Sequence, residues 1–179
     1  LLPLRQEIAR YLKNAVGVEY HPKDEILVSV GGSEAIDLCV RALVQPGDQV
    51  LIPQPSFVCY DPIVQLAGGT PVIIQTKAEN QFRLTPQELE EKITPSTKLL
   101  VLPYPNNPTG GVMKKEDLEA IAPVIEKHDL LVLSDEIYSE LTYSGKHVSI
   151  ASLPGMAQRT VVINGFSKSF AMTGWRLGY

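Results

Sequence analysis

Gly31-Gly32-Ser33-Glu34, Asn106-Asn107-Pro108-Thr109-Gly110, Asp135-Glu136-Ile137-Tyr138 and Asn164-Gly165-Phe166-Ser167-Lys168 are segments whose residue types could do chemistry together. Glycines that open a helix leave backbone N–H groups free, and with the helix dipole these make an anion site. A carboxylate, an amide, a phenol and an amine can supply a base, orienting groups and a nucleophile. Arg176 adds a guanidinium between Trp175 and Leu177, where burial of its charge requires an anionic partner. Each segment also has an ordinary structural reading. Gly-Gly-Ser is a common turn with a cap, and Asn-Pro-Thr-Gly a common turn. Asp135 could cap a helix, Tyr138 could simply pack one turn later, and a lone Lys168 is usually a solvated charge. Taken singly, the ordinary reading prevails. Taken jointly it does not, because the segments fall at equivalent places along the chain.

Those places follow short apolar runs: Ile26-Leu27-Val28-Ser29-Val30, Val50-Leu51-Ile52, Pro71-Val72-Ile73-Ile74, Lys98-Leu99-Leu100-Val101-Leu102, Leu130-Leu131-Val132-Leu133 and Thr160-Val161-Val162-Ile163. Most lack in/out alternation, as strands buried on both faces do. Leu4, Ile8, Tyr11 and Leu12 recur at helical spacing, which predicts an amphipathic helix at the start. Further helices are predicted over 33–43, 57–66, 86–92 and 115–128, with Thr85 as a cap and Pro86 at the first position. Strand and helix in alternation predict one α/β domain, a doubly wound sheet with right-handed crossovers. Ligands of such a sheet bind beyond the carboxyl ends of its strands. The glycines follow Val30, the Asn-Pro-Thr-Gly follows Leu102, Asp135 follows Leu133 and Lys168 follows Ile163. Four strand ends are thus expected to converge on one edge.

Composition removes several classes of function. Hydrophobic residues make up 44% and charged residues 20% of the sequence, a globular balance. The net charge of −4 leaves no basic footprint for nucleic acid. Two cysteines, Cys39 and Cys59, build no disulfide framework, and a reducing, cytoplasmic compartment is expected. No apolar run approaches the ~20 residues that cross a bilayer, and no basic and apolar leader opens the chain, so no membrane is expected as a partner. The first apolar run is not followed by Gly-x-Gly-x-x-Gly, which argues against a nucleotide-binding Rossmann domain. The chain opens at Leu1 without a methionine and stops at Trp175-Arg176-Leu177-Gly178-Tyr179, which reads like the start of a strand. It is therefore expected to be a piece of a longer protein.

Ser167-Lys168-Ser169-Phe170-Ala171-Met172-Thr173-Gly174-Trp175-Arg176-Leu177-Gly178-Tyr179 resembles the lysine signature of the class I and II pyridoxal-phosphate-dependent aminotransferases, the aspartate-aminotransferase-like enzymes of fold type I. Asn107-Pro108-Thr109-Gly110 and Asp135-Glu136-Ile137-Tyr138 resemble that family's other two markers, in order and at compatible distances. The resemblance runs from the first helix to the last residue. Within the family the chain looks most like the bacterial aminotransferase A and aromatic-aminotransferase branch. The resemblance implies a three-layer α/β/α domain with a mostly parallel sheet, truncated at both ends. Residues 1–179 would be part of the pyridoxal-phosphate-binding large domain, the small C-terminal domain being absent, and the full-length protein a homodimer.

The resemblance also implies roles. Lys168 would form the Schiff base with pyridoxal 5′-phosphate and then serve as general acid and base. Asp135 would face the pyridine nitrogen and keep it protonated, so that the ring accepts electrons. Asn107 and Tyr138 would hydrogen-bond the ring 3-oxygen. Arg176 would bind the phosphate with its planar fork, joined by backbone N–H groups of Gly32, Ser33 and Glu34 and by the Ser167 hydroxyl. Phe57, in Pro55-Ser56-Phe57, matches the aromatic that stacks on the ring. Gly165 stands where some members carry a phosphate-contacting serine. The prolines that match Pro55 and Pro108 follow cis peptide bonds in relatives. An arginine for the substrate carboxylate is expected in the small domain, outside this chain. The implied reaction moves an amino group from an L-amino acid to a 2-oxo acid, without a metal. The alternatives are a pyridoxal-phosphate-dependent C–S lyase and an amine-sensing, non-catalytic domain of a transcription regulator.

Overall fold

The computed structural model describes residues 1–143 and 145–179. Among them, β1 (Gln49–Gln54), β2 (Thr70–Gln75), β3 (Thr97–Leu102), β4 (Leu131–Asp135) and β5 (Thr160–Ile163) pair into one sheet in the order β2-β1-β3-β4-β5. Every neighbouring pair is parallel. The helices are α1 (Leu2–Val16), α2 (Gly32–Leu43), α3 (Tyr60–Leu66), α4 (Pro86–Glu90), α5 (Lys115–Lys127) and α6 (Phe166–Ser169).

The strands read as unbroken apolar runs because both faces are covered. Val50, Ile52, Leu99, Val101 and Leu133 point to the layer that holds Ala35, Ile36 and Val40 of α2 and Val64 of α3. Their neighbours Leu51, Leu100, Leu102 and Val132 point the other way, to Leu89 of α4 and Leu118, Ile121 and Ile125 of α5. Successive side chains of a strand face opposite sides, so each side meets its own helical layer. The result is the expected three-layer α/β/α arrangement. Thr85 starts α4 as the sequence suggests: its hydroxyl accepts from Glu88 N–H at 3.2 Å, while its own N–H donates to the Glu88 carboxylate at 3.0 Å.

Residues 26–30 depart from the expectation. They join no sheet, and Ser29 makes only an isolated antiparallel bridge to Gly178. The physical reason lies in their burial: Ile26 and Ser29 are buried, while Leu27 and Val30 are exposed. One side rests on α1 and the other has no cover, so composition resembles a buried strand where the surroundings do not. Residues 175–179 likewise form no regular strand but pair at Gly178 with Ser29 and Gly165. The helix expected from residue 57 begins only at Tyr60. Gln54-Pro55 and Asn107-Pro108 are cis, as expected, and Tyr104-Pro105 is a third cis bond. No helix of the described residues is long and apolar enough to cross a membrane.

Candidate active site

A cavity of about 210 Å³ opens beyond the carboxyl ends of the strands. Phe57 and Tyr60 reach it from the segment after β1, and Pro103, Pro105 and Asn107 from the segment after β3. Asp135 ends β4, with Ile137 and Tyr138 just beyond it. Ser167 and Lys168 come from α6, Gly32 and Ser33 from the start of α2, and Thr173 and Arg176 from the segment after α6. Of the residues expected from the sequence, only Glu34 is outside this lining. Its exposed side chain turns back to accept a hydrogen bond from Val30 N–H.

One end of the cavity is built for an anion. The first N–H groups of α2, at Gly32, Ser33 and Glu34, have no partner within the helix. Gly31, immediately before it, has φ 82°, a left-handed conformation that favours glycine. Arg176 lies against it so closely that a Cβ on Gly31 would sit 2.3 Å from Nη2. Arg10, Arg41, Arg83 and Arg159 each pair with a carboxylate. Arg176 pairs with none among the described residues, and its Nη1 donates to the Thr173 carbonyl at 3.1 Å. A guanidinium and the positive end of a helix therefore share one corner, a pairing that suits an anion.

The lining also carries a carboxylate. Asp135 is buried; its Oδ2 accepts from the Tyr60 hydroxyl at 2.7 Å and its Oδ1 from Ile137 N–H at 3.2 Å. Burial pushes its pKa above the usual aspartate range, and the two donors oppose that rise. Glu136, its neighbour in sequence, faces away. It accepts from Ser134 at 2.9 Å and Ser149 at 2.6 Å and meets His147 at 2.8 Å.

Lys168, whose Nζ is 5.7 Å from the Tyr138 ring centroid, and half-exposed Phe57 line the same cavity. Asn106 holds the neighbouring loop, since its Oδ1 accepts from Thr109 N–H and Oγ1. Asn107 is left free to line the cavity. Among the polar lining residues, the sequence reading gave Thr173 no role and missed Tyr60 altogether. Tyr60 sits in a stretch that scans as an ordinary helix, and nothing in the local spacing links it to Asp135.

A family model described as aminotransferase class I and II matches residues 1–179. The chain belongs to this family. Class I and II aminotransferases use pyridoxal phosphate, and the residues present fit such a group. The unpaired Arg176 and the start of α2 suit a phosphate, Asp135 suits a basic ring nitrogen, Phe57 a ring face and Lys168 an aldehyde. The putative aminotransferase YugH of Bacillus subtilis is 53% identical over all of this chain, which covers 46% of that protein. The aspartate aminotransferase of Pyrococcus abyssi is 51% identical over 98% of this chain and 46% of its own length. The crystal structure of an aromatic aminotransferase from Pyrococcus horikoshii superposes with a TM-score of 0.97 at 50% identity, over 99% of this chain and 48% of that one. The chain thus spans about half the length of the curated aminotransferases it matches.

The glycines of the final segment have steric reasons. A Cβ on Gly165 would lie 3.0 Å from the Leu177 carbonyl and 3.1 Å from Gly178 Cα. A Cβ on Gly178 would lie 2.5 Å from the Gly31 carbonyl carbon and 2.7 Å from Gly32 N. Both of those neighbours are backbone and cannot swing aside. Gly178→Ala is therefore expected to destabilise the protein by at least about 1–3 kcal/mol, the usual cost of overpacking. Thermal unfolding of the full-length protein measures it, and an unchanged midpoint would show that the crossing is looser than described.

Proposed function

We propose that this chain is part of the pyridoxal-phosphate-binding large domain of an aminotransferase, which moves an amino group from an L-amino acid to a 2-oxo acid. One observation carries the reading: Lys168, Asp135 and Arg176, from three separate segments, line a single cavity with the start of α2. Bound pyridoxal phosphate supplies an electron-accepting ring that makes the substrate α-proton removable. Lys168 would tether the cofactor covalently, and its amine, once released, would carry a proton to and from the substrate α-carbon. Arg176, the N–H groups of Gly32, Ser33 and Glu34, and the Ser167 hydroxyl would hold the phosphate. Asp135 would hold the proton of the ring nitrogen, Asn107 and Tyr138 would orient the ring oxygen, and Phe57 would lie against the ring face.

The whole protein is proposed to be a cytoplasmic homodimer with a small C-terminal domain that supplies the arginine for the substrate carboxylate. The lengths of the relatives support a further domain, since this chain covers 46% of the first two quoted.

Of the relatives quoted, one is named for aspartate, one for aromatic substrates and one for no substrate, so the experiment is a panel of aromatic, acidic and sulfur amino acids given to the full-length protein. Cofactor absorbance should report conversion to the aminated form with at least one of them, and a 2-oxo acid should reverse it. Release of ammonia and a thiol would mark a C–S lyase instead. Spectral change on binding without turnover of any amino acid would mark a sensor. Arg176 has its own test. Arg176→Lys keeps the charge and loses the fork. Cofactor affinity should fall by roughly 10–150-fold, the equivalent of about 1.5–3 kcal/mol for a charge-assisted hydrogen bond. Equal affinity by fluorescence titration would remove Arg176 from the phosphate.

A further inference from the structure

We propose that Tyr60 is a positioning residue for Asp135, fixing its carboxylate and favouring the ionised form that would face the cofactor ring. The proposal rests on the reading of Asp135 given above. Tyr60 opens α3 and is only 3% exposed, packed in the layer with Val64, Ile36 and Val101. Its ring also meets Phe57 edge-on, with centroids 6.2 Å apart and planes at 85°. A ring held on these sides has little freedom, so its hydroxyl arrives at Asp135 Oδ2 at 2.7 Å with its direction already set.

The other donor to Asp135 is Ile137 N–H on Oδ1, at 3.2 Å. Each oxygen thus receives one protein donor and keeps capacity for a second partner in the cavity. Burial and nearby carboxylate charge push the Tyr60 phenol well above its ordinary pKa. It therefore stays protonated and acts as a donor throughout the working range. A hydrogen bond donated to a carboxylate favours its charged form, against the burial that disfavours it. Glu136, Cys59 and Tyr138 are the other ionisable groups near the pair, and Lys168 and Arg176 line the same cavity. None of these donates a hydrogen bond to Asp135 among the described residues.

A merely structural tyrosine would lower stability when altered and leave the electronics of the ring alone. The test therefore reads the ring nitrogen. Full-length protein is loaded with cofactor carrying heavy nitrogen in the ring, and the nitrogen NMR resonance is followed against pH in wild type, Asp135→Asn, Tyr60→Phe and a protein with 3,5-difluorotyrosine at position 60. Tyr60→Phe keeps the ring and removes the donor. Its ring nitrogen should be less fully protonated at neutral pH, because the proton shared with Asp135 shifts toward the carboxylate by a roughly tenfold change in relative proton affinity. The difluorinated phenol is a stronger donor and should shift the resonance the opposite way. A Tyr60→Phe protein whose resonance matches wild type overturns the proposal, and so do two variants that shift in the same direction. If Tyr60→Phe does not fold, the difluorinated protein decides alone: a more fully protonated ring nitrogen supports the role and no shift refutes it. An unchanged resonance in Asp135→Asn overturns the reading of Asp135 itself and this proposal with it. A shift there, but not at Tyr60, overturns only the role of Tyr60.

Discussion

Lys168→Ala in the full-length protein is expected to lose covalent attachment of the cofactor and nearly all transamination. Two functions would fall on this one amine. The proton transfer alone is worth roughly 10²–10⁴-fold, and loss of the covalent tether adds to that. Among the described residues no other lysine lines the cavity, so none of these neighbours can substitute. The position is also fixed by backbone. Phe166 N–H donates to the Leu177 carbonyl at 3.1 Å, and Gly165 N–H to the Asn164 side chain at 2.7 Å, just before Lys168. Borohydride treatment of cofactor-loaded wild type, followed by peptide mapping, should mark the peptide that contains Lys168. A Lys168→Ala protein still marked, or a mark on another lysine, would remove Lys168 from the role.

Asp135→Asn should move activity and stability in opposite directions. The amide has nearly the same shape but no charge to hold the proton of the ring nitrogen. The rate of α-proton removal should fall on the order of 10²–10³-fold, typical of losing a preorganised electrostatic contact. Stability of the cofactor-free protein should rise at neutral pH. The folded-state pKa of Asp135 is raised by burial, so the stability lost by burying the ionised group is absent below the unfolded value, about 3.9. It appears as pH climbs through the raised folded value. The gain of Asp135→Asn over wild type should therefore be fullest at neutral pH and shrink on acidification. Thermal midpoints measured across that range test the sign. A variant less stable than wild type at neutral pH, or one with near-normal half-reaction rates, would mean that Asp135 has a different partner.

What could be read before the structure followed from which interactions leave a local trace. β1 to β5 were legible because strands covered on both faces must be apolar at consecutive positions, as Leu99, Leu100 and Val101 are. Residues 26–30 share that composition, but whether a run has one covered face or two depends on elements distant in sequence. Lys168, Asp135 and Arg176 were legible because each follows a strand end or stands in a motif. Glu34 was named for its backbone, and the outward turn of its side chain toward Val30 N–H has no signature. Tyr60 stayed hidden because its partner, Asp135, lies on a different strand end. Of the two adjacent amides, the motif resemblance alone picked out Asn107. The geometry supplies the reason, since Asn106 is occupied in closing its own loop.

The crossing at Ser29 and Gly178 bears on how the protein is made. Ser29 N–H donates to the Gly178 carbonyl at 2.8 Å, and Gly178 N–H donates back to Ser29 at 3.0 Å. These two residues flank the whole sheet in sequence, so on a ribosome the first half of the anion corner emerges long before the second. The parallel strands pair over shorter separations, and closing the longest loop comes late because its entropy must be overcome with few contacts to offset it. The phosphate corner is therefore expected to be the last piece of this domain to assemble. A cofactor bound there would act as a clasp across the two segments, stabilising the finished form in proportion to the logarithm of its concentration. Nascent chains halted before Gly178 should then gain no protection from added cofactor.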